Sequence, residues 1–141
     1  MMCYVSVSLG VVYVDPRLET ALAIGIGGFI GANARYWISV SIAEQLGRAL
    51  PWGTLFVNIT GSFLLAVFVA WSARQIGLSA VLRLSVVVGF FGAYTTYSSF
   101  ANETIALLQN GEWSNAAIYI VGTNLLCIVG VIPGLLLGSR L

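Results

Sequence analysis

The sequence predicts an all-α membrane protein with four transmembrane helices, the third broken at its centre. Three observations predict it. Of 141 residues, 59% are hydrophobic and only 8% charged, and the mean hydropathy is +0.96, whereas soluble proteins average about 25% charged. Second, the chain holds four long apolar segments joined by short polar connectors. Third, the small and polar residues of the third segment crowd into one stretch, Gly89 to Phe100, at membrane depth. Six arginines and five acids, with no lysine, cannot cover the surface of a water-soluble domain of this length.

A spanning helix needs about 20 mostly apolar residues to cross roughly 30 Å of hydrocarbon. Residues 1–19 read as an extension with no assigned function. Val5-Ser6-Val7-Ser8-Leu9 alternates with a strand-like period, and Asp15-Pro16 ends the run. This stretch lacks the basic start and cleavage site of a secretion signal. Residues 20–141 form the four-helix unit, with helices over about 20–43, 52–73, 84–108 and 114–139. The connectors hold Glu44, Arg48 and Pro51, then Arg74, Gly77 and Arg83, then Gln109-Asn110-Gly111-Glu112. Such short connectors make neighbouring helices antiparallel. Arg17, Arg74, Arg83 and Arg140 flank one face of the membrane. Arg48 flanks the other, joined by Arg35 if that side chain snorkels there. The bias places both termini in the cytoplasm of a multi-pass protein of the cell (inner or plasma) membrane.

Composition excludes several function classes. The chain has no histidine, one aspartate (Asp15) and two cysteines, Cys3 and Cys127. Histidine metal sites, Ser-His-Asp triads and a disulfide framework are excluded. No nucleophile–base pair is visible, so an enzyme is not expected. A net charge of +1 offers no basic face for nucleic acid.

The polar residues within the segments carry the functional signal. Helix one holds Gly27 and Gly31, a small-xxx-small pair suited to close helix packing. Arg35 is either an intramembrane functional charge or a residue snorkelling to an interface belt formed with Tyr36 and Trp37. In helix two, Thr54, Asn58 and Ser62 are four apart and share a face. In helix four, Asn115, Tyr119, Thr123 and Cys127 do the same, followed by Gly130, Gly134 and Gly138, with Pro133 a potential kink.

Between Gly89 and Phe100, small and β-branched residues weaken helix three. A break frees backbone carbonyls, hard oxygen ligands suited to a cation such as Na+. Tyr97 and Phe100 share a face, and their electropositive ring edges can meet an anion. Interhelical hydrogen bonding is the plainer reading of all these groups. Together they describe a pathway lined by neutral donors, with one arginine near its mouth. That lining suits a small, strongly hydrated anion that must both enter and leave.

Three motifs resemble the Fluc (CrcB-type) fluoride channels over about Ala21 to Leu141. They are Gly27-Gly28-x-x-Gly31-Ala32-x-x-Arg35-Tyr36, Gly53-Thr54-Leu55-x-Val57-Asn58, and Gly89-x-x-Gly92-x-x-Thr95-Thr96-x-Ser98-x-Phe100. The resemblance implies passive export of cytoplasmic fluoride by an antiparallel dimer with two pathways. It also implies a structural Na+ at the dimer interface, held by the backbone carbonyls of Gly92 and Thr95 from both subunits. Asn58, Tyr97, Ser98, Phe100, Tyr119 and Thr123, and less securely Cys127, then line the fluoride pathway, with Arg35 in its vestibule. Glu103 matches an acidic residue following the aromatic pair. The chain departs from the family pattern at Tyr97, in place of phenylalanine, and Ala93, in place of the second glycine of the break. It also departs at Tyr94, Ser99 and Cys127. These departures bear on conductance rate more than on identity.

Balanced arginine flanks in that family accompany homodimers, and biased flanks accompany paired homologues. Both an antiparallel homodimer and a heterodimer with a paired homologue therefore stand as partners. Two rivals remain. A small multidrug-resistance-type exporter needs an acid in helix one, where this chain has Arg35. A non-transporting membrane subunit predicts that polar-face substitutions alter stability but not flux.

Overall fold

A computed structural model of the chain describes residues 5–8, 11–47 and 49–141. Leu9 of the alternating stretch, Cys3, and Arg48 of the arginine count lie outside the described residues. Two short strands, β1 (Val5–Ser8) and β2 (Val11–Val14), pair antiparallel with Val5 opposite Val14. The strand-like alternation is thus a hairpin preceding the helices.

Helix α1 (Pro16–Leu46) starts where the sequence supplies a cap. The Asp15 side chain accepts the Arg17 N–H at 2.8 Å, and Pro16 opens the first turn. Its 31 residues extend about 46 Å at 1.5 Å each, so α1 outreaches the hydrocarbon and exceeds the 20–43 expected from hydropathy. It ends at Gly47, whose φ of 79° favours glycine. Helices α2 (Trp52–Ser72) and α6 (Trp113–Gly138) are continuous, and α6 runs through Pro133 without interruption. Three stretches among the described residues are long and apolar enough to cross a membrane: Trp52–Ser72, Ala80–Gln109 and Trp113–Gly138. Helix α1 has the length of a fourth span, but its glycines, Asn33 and Arg35 lower its apolarity.

The third span is composite. It runs as α3 (Ala80–Leu84), a π-helical segment (Ser85–Phe91), α4 (Gly92–Tyr94), an extended pair, and α5 (Tyr97–Gln109). The break falls at the centre, as predicted, on Thr95 (φ −85°, ψ 155°) and Thr96 (φ −150°, ψ 110°). The π-helical segment is not foreseen by residue pattern. It lies against α1 at backbone distance. A β-carbon on Gly27 or Gly31 would collide with the Ser85 or Phe90 carbonyl. The Ser85 hydroxyl donates to the Ala23 carbonyl at 2.5 Å. The small-xxx-small pair of α1 is thus a packing seam, as its spacing suggests.

A second seam joins α2 to α6. A β-carbon on Gly134 would meet the Phe63 carbonyl at 2.6 Å, and one on Gly138 would strike that of Val67. Between α5 and α6, Phe100, Leu107, Ala116 and Tyr119 form a buried cluster. Arg74 donates to the Ser139 carbonyl, and Arg83 to that of Ser72 at 2.6 Å. Both bind carbonyls at helix C-termini, that of Ser72 also accepting the Gln75 N–H at 3.2 Å. The ends of α2 and α6 and the start of the third span therefore gather at one end. Ile26, Phe29, Trp37, Leu125 and Ile128 face outward, as a lipid-facing surface requires.

Candidate functional site

The site is built around the break. An α-helix closes each turn by donating the N–H of residue i to the carbonyl of residue i−4. The Thr96 N–H, which would close on the Gly92 carbonyl, donates instead to Asn58 Oδ1 at 2.7 Å. Asn58 Nδ2 returns a bond to the Thr96 carbonyl at 3.1 Å. One turn later, the Ser99 N–H would close on the Thr95 carbonyl, but donates to Thr96 Oγ1 at 3.1 Å. Thr96 thus caps α5. The Gly92 and Thr95 carbonyls both lose their ladder donors, one to a side chain of α2 and the other to Thr96 itself. Ala93 lies in α4 with helical backbone, so the break does not depend on glycine at that position.

Beside the break lies a cavity of about 240 Å³, walled by Asn58, Ser62, Thr96, Phe100, Thr123 and Cys127 among others. Thr123 is 5% exposed, and its hydroxyl is buried without a hydrogen-bond partner. A buried, unsatisfied donor costs about 1–3 kcal/mol and marks a place where a ligand can be received. Phe100 is 6% exposed while Tyr97, whose ring centroid is 5.4 Å away, is 76% exposed. Ser98 is also exposed, its hydroxyl 3.2 Å from that of Thr96.

A second pocket of about 330 Å³ is lined by Arg35, Ser39, Thr54, Thr96, Ser99 and Glu103 among others. A third, of about 410 Å³, opens toward the Gly47–Gly53 loop and shares Ser39, Thr54 and Glu103 with it. Thr96 lines both the second pocket and the 240 Å³ cavity. The three spaces therefore follow one another, with Glu103 and then Thr96 in the shared walls. Arg35 is half-buried on the second of them.

Glu103 is the organising residue that the candidate set omitted. Thr54 Oγ1 donates to one of its carboxylate oxygens and the Tyr119 hydroxyl to the other, each at 2.7 Å. Tyr119 is therefore held by a carboxylate rather than standing as a free donor. The signal was present in the sequence. Glu103 is the one acid inside a span, and an intramembrane acid demands partners. Among the described residues, no three His, Cys, Asp or Glu side chains cluster to hold a metal. A cation here would need neutral oxygens, and the Gly92 and Thr95 carbonyls are of that kind.

The sequence is similar to those of known proteins. Residues 22–135 match the family described as CrcB-like protein, Camphor Resistance (CrcB). A protein of Koribacter versatilis (strain Ellin345) described as "Fluoride-specific ion channel FluC" is 40% identical over 111 residues, covering 79% of this chain and 88% of the relative. One of the same description from Geobacter sulfurreducens (strain ATCC 51573 / DSM 12127 / PCA) is 38% identical over 124 residues, covering 88% of this chain and 100% of the relative. Another, from Methylococcus capsulatus (strain ATCC 33009 / NCIMB 11132 / Bath), is 43% identical over 119 residues. That match covers 84% of this chain and 52% of the relative, so the chain spans about half of that protein's length. A match running from the first turns of α1 almost to the end of α6 leaves little of the chain outside it, and the chain belongs to the CrcB/FluC family of fluoride-specific ion channels, multi-pass membrane proteins rather than enzymes.

Proposed function

We propose that this chain conducts fluoride selectively and passively out of the cytoplasm, lowering cytoplasmic fluoride and its toxicity. The observation that carries the reading is the unpartnered Thr123 hydroxyl in a cavity walled by Asn58 and the Phe100 ring. A small anion shedding part of its hydration shell needs neutral donors that compensate it without trapping it. Thr123 supplies an O–H, Asn58 its second N–H, and Phe100 an electropositive ring edge. Tyr97 and Ser98 extend the lining, Tyr119, its hydroxyl given to Glu103, backs the Phe100 ring, and Arg35 raises local anion concentration at the mouth. The conducting unit is residues 20–141, with residues 1–19 an extension of no assigned role.

The working unit is an antiparallel dimer. Tyr97 and Gly92 are exposed on either side of the break in the third span, and a second copy facing them completes a surface that lipid would leave polar and unpaired. The Gly92 and Thr95 carbonyls of both copies would hold a structural Na+ there, which supplies fixed positive charge between the two pathways. The arginine bias leaves open an oppositely oriented homologue as the partner. Stable, active protein from this chain alone excludes an obligate one. The exporter reading is disfavoured because both Glu103 oxygens are occupied by hydroxyl donors, and a proton relay needs an acid free to exchange.

The test is fluoride efflux from liposomes reconstituted with the purified chain, read with a fluoride electrode against chloride. Rapid fluoride efflux with none for chloride is expected. No efflux from folded dimer, alone or co-reconstituted with a paired homologue, rejects conduction in favour of a non-transporting subunit.

A further inference from the structure

Asn58 has a role in this structure that lining a pathway does not describe. Its carboxamide presents one acceptor and one donor to the two sides of a single residue, Thr96, at 2.7 and 3.1 Å. Both partners are main-chain groups in the sharpest backbone departure of the span. Asn58 and Thr96 are both buried. The geometry also fixes the amide's orientation, since the N–H of Thr96 requires an oxygen and its carbonyl requires a nitrogen.

The bond that Asn58 accepts is the one an uninterrupted helix would give to Gly92. We propose that Asn58 is a positioning residue that holds the third span broken. By capturing the Thr96 N–H, it keeps the Gly92 carbonyl out of the helical ladder and available to a cation at the subunit interface. The inference rests on the channel and cation reading above. Its content is that anion conduction and cation retention depend on the same side chain through different atoms. The clasp uses Oδ1 and one N–H, and the second N–H remains for the cavity. Thr123 is the natural contrast, because it lines the same cavity but makes no bond to the break.

Two readouts separate these roles in full-length protein purified without Na+. One is fluoride efflux from liposomes. The other is the rise in unfolding temperature when Na+ replaces N-methyl-D-glucamine. Wild type is expected to show both. Thr123→Val should lower efflux about tenfold or more, the worth of one hydrogen bond to an anion, and keep the Na+ shift. Asn58→Leu should lose both, since the Thr96 N–H returns to Gly92. Asn58→Asp retains an acceptor for that N–H but places negative charge beside the cavity. It should lose efflux and keep the Na+ shift, and it serves also if Asn58→Leu does not fold.

An Asn58→Leu protein that loses efflux but keeps its Na+ shift overturns the proposal, leaving Asn58 an anion donor only. So does an Asn58→Asp protein without the shift, or a conducting wild type with no shift to lose. A wild type without efflux that nonetheless shows the Na+ shift, lost in Asn58→Leu, rejects the channel reading while upholding the positioning role.

Discussion

The two halves of the third span are both irregular, for opposite reasons. Before the break, Ser85–Phe91 departs from α-helix by widening into a π-helical segment, and the departure is absorbed by packing. Its carbonyls lie against α1 where only hydrogen atoms of Gly27 and Gly31 intervene. At the break, which opens the second half, Thr95 and Thr96 leave the helix altogether, and that departure is absorbed by polar groups: Asn58 from α2 and the Thr96 hydroxyl from within. A distortion stabilised by steric fit fills its space and leaves nothing for a ligand. A distortion stabilised by borrowed hydrogen bonds leaves the original partners unpaired and beside a cavity. Only the second half therefore has the chemistry of a site.

The largest expected effect breaks the first half. Gly31→Leu places a branched side chain where even a β-carbon collides with the Phe90 backbone. Overpacking against side chains costs about 1–3 kcal/mol, and a backbone wall yields less. This variant should yield little folded protein by size-exclusion chromatography. Monodisperse, stable protein would show that α1 and the third span are not in backbone contact.

Next comes the second half's anchor. Glu103→Gln replaces two charge-assisted acceptors with one neutral carbonyl and an amide NH2, so one of Thr54 and Tyr119 must turn from donor to acceptor, and both lose their bond to a charged group. Hydrogen bonds to a charged group contribute about 1.5–3 kcal/mol each. Efflux should fall by at least about tenfold on that basis, with elution from a sizing column unchanged. Unchanged efflux would mean that the Glu103 hub supports packing and not conduction.

These predictions separate what the sequence discloses from what it withholds. The four spans, the break and the glycine seam follow from local signals: apolar length, a crowd of Thr and Ser, and i,i+4 glycine spacing. The π-helical segment does not, because Ser85-Val86-Val87-Val88-Gly89-Phe90-Phe91 is an ordinary apolar run whose register is set by the α1 face opposite. Residue types nominate Asn58, Thr123, Phe100 and Tyr119 as one lining; the first three border one cavity, while Tyr119 packs against Phe100 outside it. Their inequality was not legible. That Asn58 is committed to Thr96, Tyr119 to Glu103, and Thr123 to nothing depends on which helices adjoin at which height, and periodicity does not carry that information.

A gentler probe sharpens the first half. Gly28 is next to Gly27, yet a β-carbon there would have only the Gly89 carbonyl within reach, at 3.8 Å. Gly28→Ala should therefore leave stability unchanged or raise it by about 0.5–1 kcal/mol, the helix preference for alanine, visible as a small rise in unfolding temperature. The companion Gly27→Ala should lower it, since its β-carbon meets the Ser85 carbonyl. Equal effects at the two positions would mean that the seam tolerates a looser approach than backbone contact.

The smallest expected effect lies at Tyr97. Its hydroxyl has no hydrogen-bond partner among the described residues, and the ring is largely exposed. Tyr97→Phe removes one oxygen and keeps the ring and its electropositive edge 5.4 Å from Phe100. If the edge is what an anion meets, the hydroxyl is only an obstruction, and efflux should be equal or faster with no change in unfolding temperature. A collapse of efflux at unchanged stability would assign the hydroxyl a direct contact with the ion. The second half of the span would then hold its anion by an O–H at Tyr97 as well as at Thr123.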